Sequence, residues 1–332
     1  MRNGKDQSIP KRERIKERNI TMKKLISVIL VTAILCMGAL GCTANAEKIE
    51  IAALKGPTGM GLVQVKDKYA DDYNITFSSA PDDITASFIG GEADIAAVPI
   101  NLASVLYNKL EGNVRIIAVN TLGVLYMLEN GEEITDFAAL EGKTIYATGQ
   151  GSTPEYVLEY LLSENGVNAT VEYKAEHSEL AALLAAGEVG LGMLPEPNVS
   201  ATMTKNENLR VALNLTEEWA KVSDAELVQG CIIVKADYLE QHEKEIAKFL
   251  ERYAESAAFV NENIEEASQL IEEYGIMEKA AIAKKSIPNC NIVCITGEAM
   301  KAAAANMLTV LFEANAKSVG GAMPKDEFYW IG

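Results

Sequence analysis

The feature that most constrains the fold of this chain is a fourteen-residue pattern that occurs twice. Residues 91–104 read GEADIAAVPINLAS, and residues 187–200 read GEVGLGMLPEPNVS, 96 residues further on. Each copy has a Gly-Glu pair, an apolar run, a proline and a serine at matching offsets. Glycine at a helix end, a short buried strand and proline at the next helix start are typical of an α/β unit. The repeat therefore predicts two similar halves.

Strand-like and helix-like segments alternate around both copies. Short connections between them predict an α/β sheet in each half, and 332 residues suffice for two domains. The predicted strands are 48–54, 74–77, 95–98, 115–119 and 124–128 in the first half, and 143–147, 170–173, 191–194 and 211–215 in the second.

The pattern changes after Trp219. One strand, 227–234, precedes a tail that is almost wholly helical, which indicates that the chain crosses back to its first half. We therefore expect two similar α/β lobes joined by hinge strands, with a helical C-terminal tail packed on the first lobe. The predicted division is 47–130 with 228–332 for lobe 1, and 131–227 for lobe 2.

The N-terminal 42 residues are typical of a signal peptide. Lysines 23 and 24 precede the apolar run 25–40, which is short for a membrane span. The following Ala-Leu-Gly-Cys resembles the lipobox of bacterial lipoproteins, so Cys42 is the predicted lipidation site and the extracytoplasmic membrane face the predicted location. An ordinary cleaved signal or an uncleaved anchor is the alternative. Residues 1–21 are an extended n-region or a start codon assigned too early.

Charge excludes one class of partner. Residues 1–42 hold nine Lys and Arg against three Asp and Glu, so the remainder carries a net charge of −23 within the total of −17. A body this acidic does not bind nucleic acid by neutralising phosphates. Of the three cysteines beyond position 42, Cys290 and Cys294 have the spacing of a disulfide or a metal-binding pair, but no further Cys or His lies nearby, and we prefer free thiols.

Several motifs together resemble a known family. They are GPTG at 56–59, EADIAAVP at 92–99, and GKTI followed by GSTP within 142–154. In this order they resemble the extracytoplasmic solute-binding proteins of ABC importers, in the group that serves sulfonates, nitrate, taurine and thiamine-precursor pyrimidines. The resemblance implies the type II periplasmic binding protein fold, a monomeric receptor for a small organic solute such as a pyrimidine or a sulfonate, and a membrane permease and ATPase as partners. A lipid-anchored sensor or interaction protein without a transporter is the alternative.

The ligand site is expected where strands end and helices begin. In open α/β sheets ligands bind beyond the carboxyl ends of strands, so the turns of the two lobes should form opposite walls of a cleft. Thr153 is expected to cap its helix. For Thr121, a role in the hinge and a role in ligand binding are both left open. Glu196 either accepts from a ligand donor or is an exposed glutamate at a helix start. The alternative for each turn is a tight strand-to-helix connection. The predicted ligand-binding residues are Pro57, Thr58, Gly59, Asn101, Thr121, Ser152, Thr153 and Glu196.

Catalysis has little support in the sequence, and we predict no enzyme, cofactor or metal site. The only histidines are His177 and His242, and we interpret His177 as part of a solvated helix start. Eukaryotic thiamine-pyrimidine synthases resemble the same fold group, but they depend on a histidine and a Cys-rich segment that this chain lacks, and a signal peptide does not suit such an enzyme.

Overall fold

Two β-sheets, each covered by helices, make up the structure. It is a computed structural model that describes residues 48–131 and 133–332, which belong to one compact unit. The predicted signal peptide and Cys42 lie outside the described residues. The strands are β1 Ile49–Leu54, β2 Tyr73–Ser78, β3 Ile95–Pro99, β4 Arg115–Leu122, β5 Leu125–Glu129, β6 Thr144–Thr148, β7 Thr170–Lys174, β8 Leu191–Pro195, β9 Arg210–Asn214, β10 Val228–Val234 and β11 Ile292–Ile295.

The five strands of the smaller sheet repeat the topology of five of the six strands in the larger sheet. Among the described residues, the larger sheet has the order β2-β1-β3-β10-β4-β11, and the smaller has the order β7-β6-β8-β5-β9. β1 pairs in parallel with β2 and β3, as β6 does with β7 and β8. β10 runs antiparallel to β3 and β4, as β5 does to β8 and β9. The larger sheet with its helices is called the first lobe, and the smaller sheet with its helices the second lobe. The predicted two-lobed α/β class is confirmed.

Helices follow most strands. The two helices that precede the repeated motif, α3 and α6, end at Gly91 and Gly187, which both adopt the left-handed conformation that a C-terminal glycine provides. The helices are α1 Pro57–Met60, α2 Val63–Lys68, α3 Pro81–Gly90, α4 Ile100–Lys109, α5 Thr153–Glu164, α6 His177–Ala186, α7 Asn198–Lys205, α8 Leu215–Val222, α9 Ala236–Gln241, α10 Glu243–Glu262, α11 Ile264–Glu273, α12 Ala280–Ser286 and α13 Gly297–Ala314.

The larger sheet is buried on both faces. Ile95 and Ala97 of β3 pack in a cluster with α2 and α10, whereas Ala96 and Val98 pack in a second cluster with α3, α4 and α13. A strand covered on both faces has to be apolar at successive positions, which explains the apolar run in the repeated motif.

The chain crosses between the lobes at two places. It leaves the first sheet after β4 and enters the second at β5, and it returns from β9 through α8 to β10. The predicted division at residue 130 is therefore too late, because β5 pairs with β8 and β9 of the smaller sheet. All of β5 is buried, and an apolar strand pattern does not identify the sheet that a strand joins.

The C-terminal tail packs mainly on the first lobe, as predicted, but it also contacts the second. α10 and α11 cover one face of the larger sheet, while Met300 and Leu311 of α13 share a cluster with Leu158 and Leu161 of α5. The tail also contains β11, which the helical prediction missed. No helix in the described part of the chain is long and apolar enough to cross a membrane.

Candidate functional site

A cavity of about 450 Å³ lies between the lobes. It is found at the carboxyl ends of β1 and β3 from the first sheet and of β6 and β8 from the second, where open α/β sheets bind their ligands. Helices α4, α5 and α6 begin at its wall without a side-chain cap from their N-cap residues, so their first N–H groups favour a ligand acceptor. Of the predicted ligand-binding residues, the cavity is lined by Pro57, Thr58, Asn101, Ser152, Thr153 and Glu196.

Two predicted residues, Gly59 and Thr121, do not line the cavity, which corrects their expected place at its surface. Gly59 packs under β1, where an added Cβ would lie 2.4 Å from the Leu54 carbonyl oxygen. Thr121 is fully buried and donates from Oγ1 to Asn120 Oδ1 at 3.1 Å, and Asn120 Nδ2 donates to the Thr58 carbonyl at 3.0 Å. Both residues therefore support the wall that Thr58 forms.

The two lobes meet directly across the cavity. Thr153 Oγ1 of the second lobe donates to Asn101 Oδ1 of the first at 3.4 Å. The expected cap at Thr153 is therefore wrong: Ser152 is the N-cap of α5, its hydroxyl donates to the Gly149 carbonyl at 2.6 Å, and Pro154 follows Thr153 inside the helix. Because this hydrogen bond joins the two walls, it can form only when the walls lie as close together as they do here.

Glu196 is buried at the cavity wall, and only 2% of its surface is exposed. Its carboxylate accepts from Ser200 Oγ at 2.8 Å, from Ser200 N at 3.1 Å and from Asn289 Nδ2 at 3.3 Å. Burial raises the pKa of Glu196 above its ordinary value, although these hydrogen bonds oppose the shift. Glu196 is thus not the exposed glutamate of the alternative interpretation, and its oxygens retain capacity for one more donor.

His177 also lines the cavity, which corrects its interpretation as part of a solvated helix start. Its Nδ1 lies 2.7 Å from Thr148 Oγ1, at the end of β6. Burial lowers the pKa of His177 below its ordinary value, while Glu176 opposes the shift. The imidazole is therefore neutral at neutral pH and offers the cleft one donor or one acceptor, depending on its tautomer.

Sequence reasoning missed other lining residues. Lys55, Ser79 and Glu176 follow the ends of β1, β2 and β7, so the strand-end rule applied to every strand would have found them. Gln229 carries no such signal, because it lies in β10, the strand that returns from the second lobe. Its Oε1 is buried and has no hydrogen-bond partner among the described residues, which makes it an acceptor for a ligand donor.

Trp219 and the two C-terminal cysteines do not line the cleft. Trp219 is buried, its ring centroid lies 4.7 Å from that of Tyr160 in a tilted arrangement, and its Nε1 donates to the Ala225 carbonyl at 2.7 Å, so it packs rather than faces a ligand. Cys290 and Cys294 are free thiols, as preferred from the sequence, and burial raises the pKa of Cys294 to about 11. Within 48–131 and 133–332, no three His, Cys, Asp or Glu side chains are placed to hold a metal ion.

Comparison with known proteins identifies the family. A family model described as NMT1/THI5 like matches residues 72–267, which is more than half of the chain. The chain belongs to the NMT1/THI5-like family. The matched segment of this NMT1/THI5-like protein includes the whole second wall of the cleft, from Gly149 to Asn198. No curated protein matches the sequence.

Solved structures share the periplasmic binding protein fold with this family member. An ABC transporter from Parabacteroides distasonis has a TM-score of 0.75 at 24% identity, covering 85% of this chain and 98% of that one. The periplasmic aliphatic sulphonate binding protein of Escherichia coli has a TM-score of 0.68 at 16% identity, covering 86% and 92%. The zinc-bound ligand binding component of an ABC-type import system from Staphylococcus aureus has a TM-score of 0.65 at 15% identity, covering 85% and 96%.

Proposed function

We propose that this protein is the solute-binding receptor of an ABC importer, which captures a small organic solute between its lobes and delivers it to a membrane permease. The observation that carries the proposal is the cavity whose walls come from equivalent strand ends of both lobes and meet at Asn101 and Thr153. A ligand there contacts both lobes at once, so binding favours the closed arrangement. The import-system and sulphonate-binding structures with the same fold support this role.

The charge of the cleft favours one ligand class over another. Two carboxylates, Glu176 and Glu196, line it against a single ammonium group, that of Lys55, and the lining contains no arginine among the described residues. A sulfonate would be repelled by the carboxylates, whereas an amino group donates to them. We propose a nitrogen heterocycle of the thiamine-precursor pyrimidine class, whose ring nitrogens accept from helix N-termini and whose amino group donates to Glu196 or Gln229.

The cellular setting completes the proposal. Lipidation at Cys42 would tether a monomeric receptor to the extracytoplasmic membrane face, within reach of the permease and its ATPase. We propose no catalytic role, because the described lining residues contain no nucleophile hydrogen-bonded to a base in the arrangement that acyl transfer requires. The Thr148 hydroxyl is hydrogen-bonded to His177, but Thr148 has only 1% of its surface exposed and does not line the cavity.

A thermal-shift screen of the purified protein tests the proposal. The panel holds aminopyrimidines, flavins, alkyl sulfonates, nitrate and amino acids. A true solute at 100 times its Kd adds about 2.7 kcal/mol to the free energy of unfolding, which raises Tm by several degrees. Stabilisation by an aminopyrimidine supports the receptor and its ligand class. No stabilisation by any compound, with no small molecule carried through purification, contradicts the receptor function.

A further inference from the structure

A second cavity of about 450 Å³ adjoins the ligand cleft. It shares Lys55, Ser79 and Asn198 with the cleft and continues outward between the start of α7 and the segment Gly275–Lys279, which joins α11 to α12. This second cavity is called the outer compartment, and the cavity between the strand ends the inner compartment. Each has the size of a ligand pocket, typically about 300–1,000 Å³, so the two together hold more than one small ring.

Two lysines in the outer compartment have no side-chain partner in the described part of the chain. Neither Lys55 nor Lys279 forms a side-chain hydrogen bond or ion pair with another described residue, and both are exposed. By contrast, two lysines of α12 have side-chain partners: Lys284 pairs with Glu265, and Lys285 donates to Thr204 Oγ1 at 3.2 Å. The ammonium groups of Lys55 and Lys279 are thus free to bind an anion.

Charge reverses between the two compartments. The inner compartment has Glu176 and Glu196 against Lys55, whereas the outer compartment has Lys55 and Lys279 against one carboxylate, Glu278. An anion is therefore stabilised at the outer end and destabilised at the inner end. Apolar side chains of Ile276, Met277 and Ile282 also line the outer compartment and suit a short hydrocarbon linker.

We propose that the outer compartment binds an anionic tail on the same solute whose ring occupies the inner compartment. The tail is a carboxylate, sulfonate or phosphate joined to the ring by a short linker, held by Lys55 and Lys279. This proposal rests on the receptor function proposed above and narrows its ligand to a heterocycle with a donor at one end and an anion at the other. Lys55, which lines both compartments, lies at the junction between ring and tail.

Calorimetric titration with two matched probes tests the proposal. One probe is an aminopyrimidine with a hydroxymethyl group, and the other is its phosphate ester. We expect wild-type protein to bind the ester about tenfold more tightly, as charge-assisted contacts allow. Lys279→Gln should abolish most of this advantage and leave the affinity for the uncharged probe unchanged. Lys244→Gln, which changes an exposed lysine of α10 outside both compartments, should retain it.

Each other outcome overturns a defined part of the proposal. Equal affinity of wild-type protein for both probes overturns the anionic tail and leaves the receptor function intact. An advantage of the ester that persists in Lys279→Gln overturns the assignment of the anion to the outer compartment. Binding of neither probe overturns the pyrimidine receptor itself and the tail site with it. A third probe with a carboxylate in place of the phosphate separates recognition of charge from recognition of phosphate geometry.

Discussion

The first lobe lines the cleft with Lys55, Thr58 and Asn101, whereas the second lobe lines it with Glu176, His177 and Glu196, although equivalent strand ends supply both walls. Pro99 and Pro195 end equivalent strands, yet the next residue is the apolar Ile100 in one lobe and the carboxylate Glu196 in the other. The topology thus sets where a side chain is presented, and the sequence of each turn sets its chemistry. The two carboxylates of the second wall are the basis for the proposed preference for a donor-bearing ligand over a simple anion.

The two Gly-rich turns provide the largest expected difference between the lobes. An alanine Cβ at Gly59 would lie 2.4 Å from a backbone oxygen, whereas at Gly151 it would meet nothing within 4 Å and would be strained only by a φ of +75°. We expect Gly59→Ala to lower the free energy of unfolding by about 3 kcal/mol and Gly151→Ala by about 1 kcal/mol. Chemical denaturation measures both, and equal losses would show that the two turns are equally constrained.

Glu196 tests whether the second wall selects the ligand. Glu196→Gln removes the charged acceptor, so affinity for an aminopyrimidine should fall by about ten- to a hundredfold, the value of a charge-assisted hydrogen bond. Calorimetric titration measures the change. Glu188→Gln, an exposed position of the same lobe, is the control and should bind like wild-type protein. Tighter binding by Glu196→Gln would instead indicate an anionic ligand in the inner compartment.

Asn101 and Thr153 test whether the two walls act together. Each alanine variant loses one side of the 3.4 Å contact between the lobes, and we expect about a fivefold loss of affinity for the solute with little change in Tm. The double variant should lose less than the product of the single losses, because both residues belong to one contact. Wild-type affinity in both single variants would remove these residues from the site.

His177 gives the smallest expected effect, through pH. The pKa of His177 lies below the ordinary 6.5 in the folded protein. As pH falls below about 6.5, the imidazole therefore takes up a proton more readily in the unfolded chain than in the folded protein. The free energy of unfolding decreases through that range. Wild-type Tm should therefore fall more than that of His177→Asn between pH 7.5 and 5.5. The raised pKa of Glu196 has the opposite effect on stability as pH falls. Because Glu196 is present in both proteins, its contribution cancels in the comparison.

The matched control for the pH measurement is a substitution that leaves every titratable group in place. Ser178→Ala, at an exposed position of the same helix as His177, removes no titratable group and should keep the wild-type pH dependence of Tm. Parallel pH curves for wild-type protein and His177→Asn would show that His177 titrates alike in the folded and unfolded states.

Local patterns were enough to predict the elements that build the cleft, but not all of its surface. The strand of the second repeated unit, predicted at 191–194, spans Leu191–Pro195, because glycine and proline mark the two ends of its apolar run. The place of β5 in the smaller sheet depends on pairing with β8 and β9, which are distant in sequence. The position of Gln229 in the cavity likewise depends on the pairing of β10 with strands distant in sequence. Such long-range pairing leaves no local signal in the sequence. α8 was missed because it follows β9 without a break, although its N-cap Asn214, which accepts from Thr216 N, is a helix-start signal.

The central claim is that the acidic second wall selects a donor-bearing ring over a simple anion. Calorimetric titration of wild-type protein at neutral pH with an aminopyrimidine and with ethanesulfonate tests it most directly. We expect the aminopyrimidine to bind more tightly than ethanesulfonate. Tighter binding of ethanesulfonate that persists in Lys279→Gln would contradict the account, because Glu176 and Glu196 would then line a site that accepts the charge they should repel.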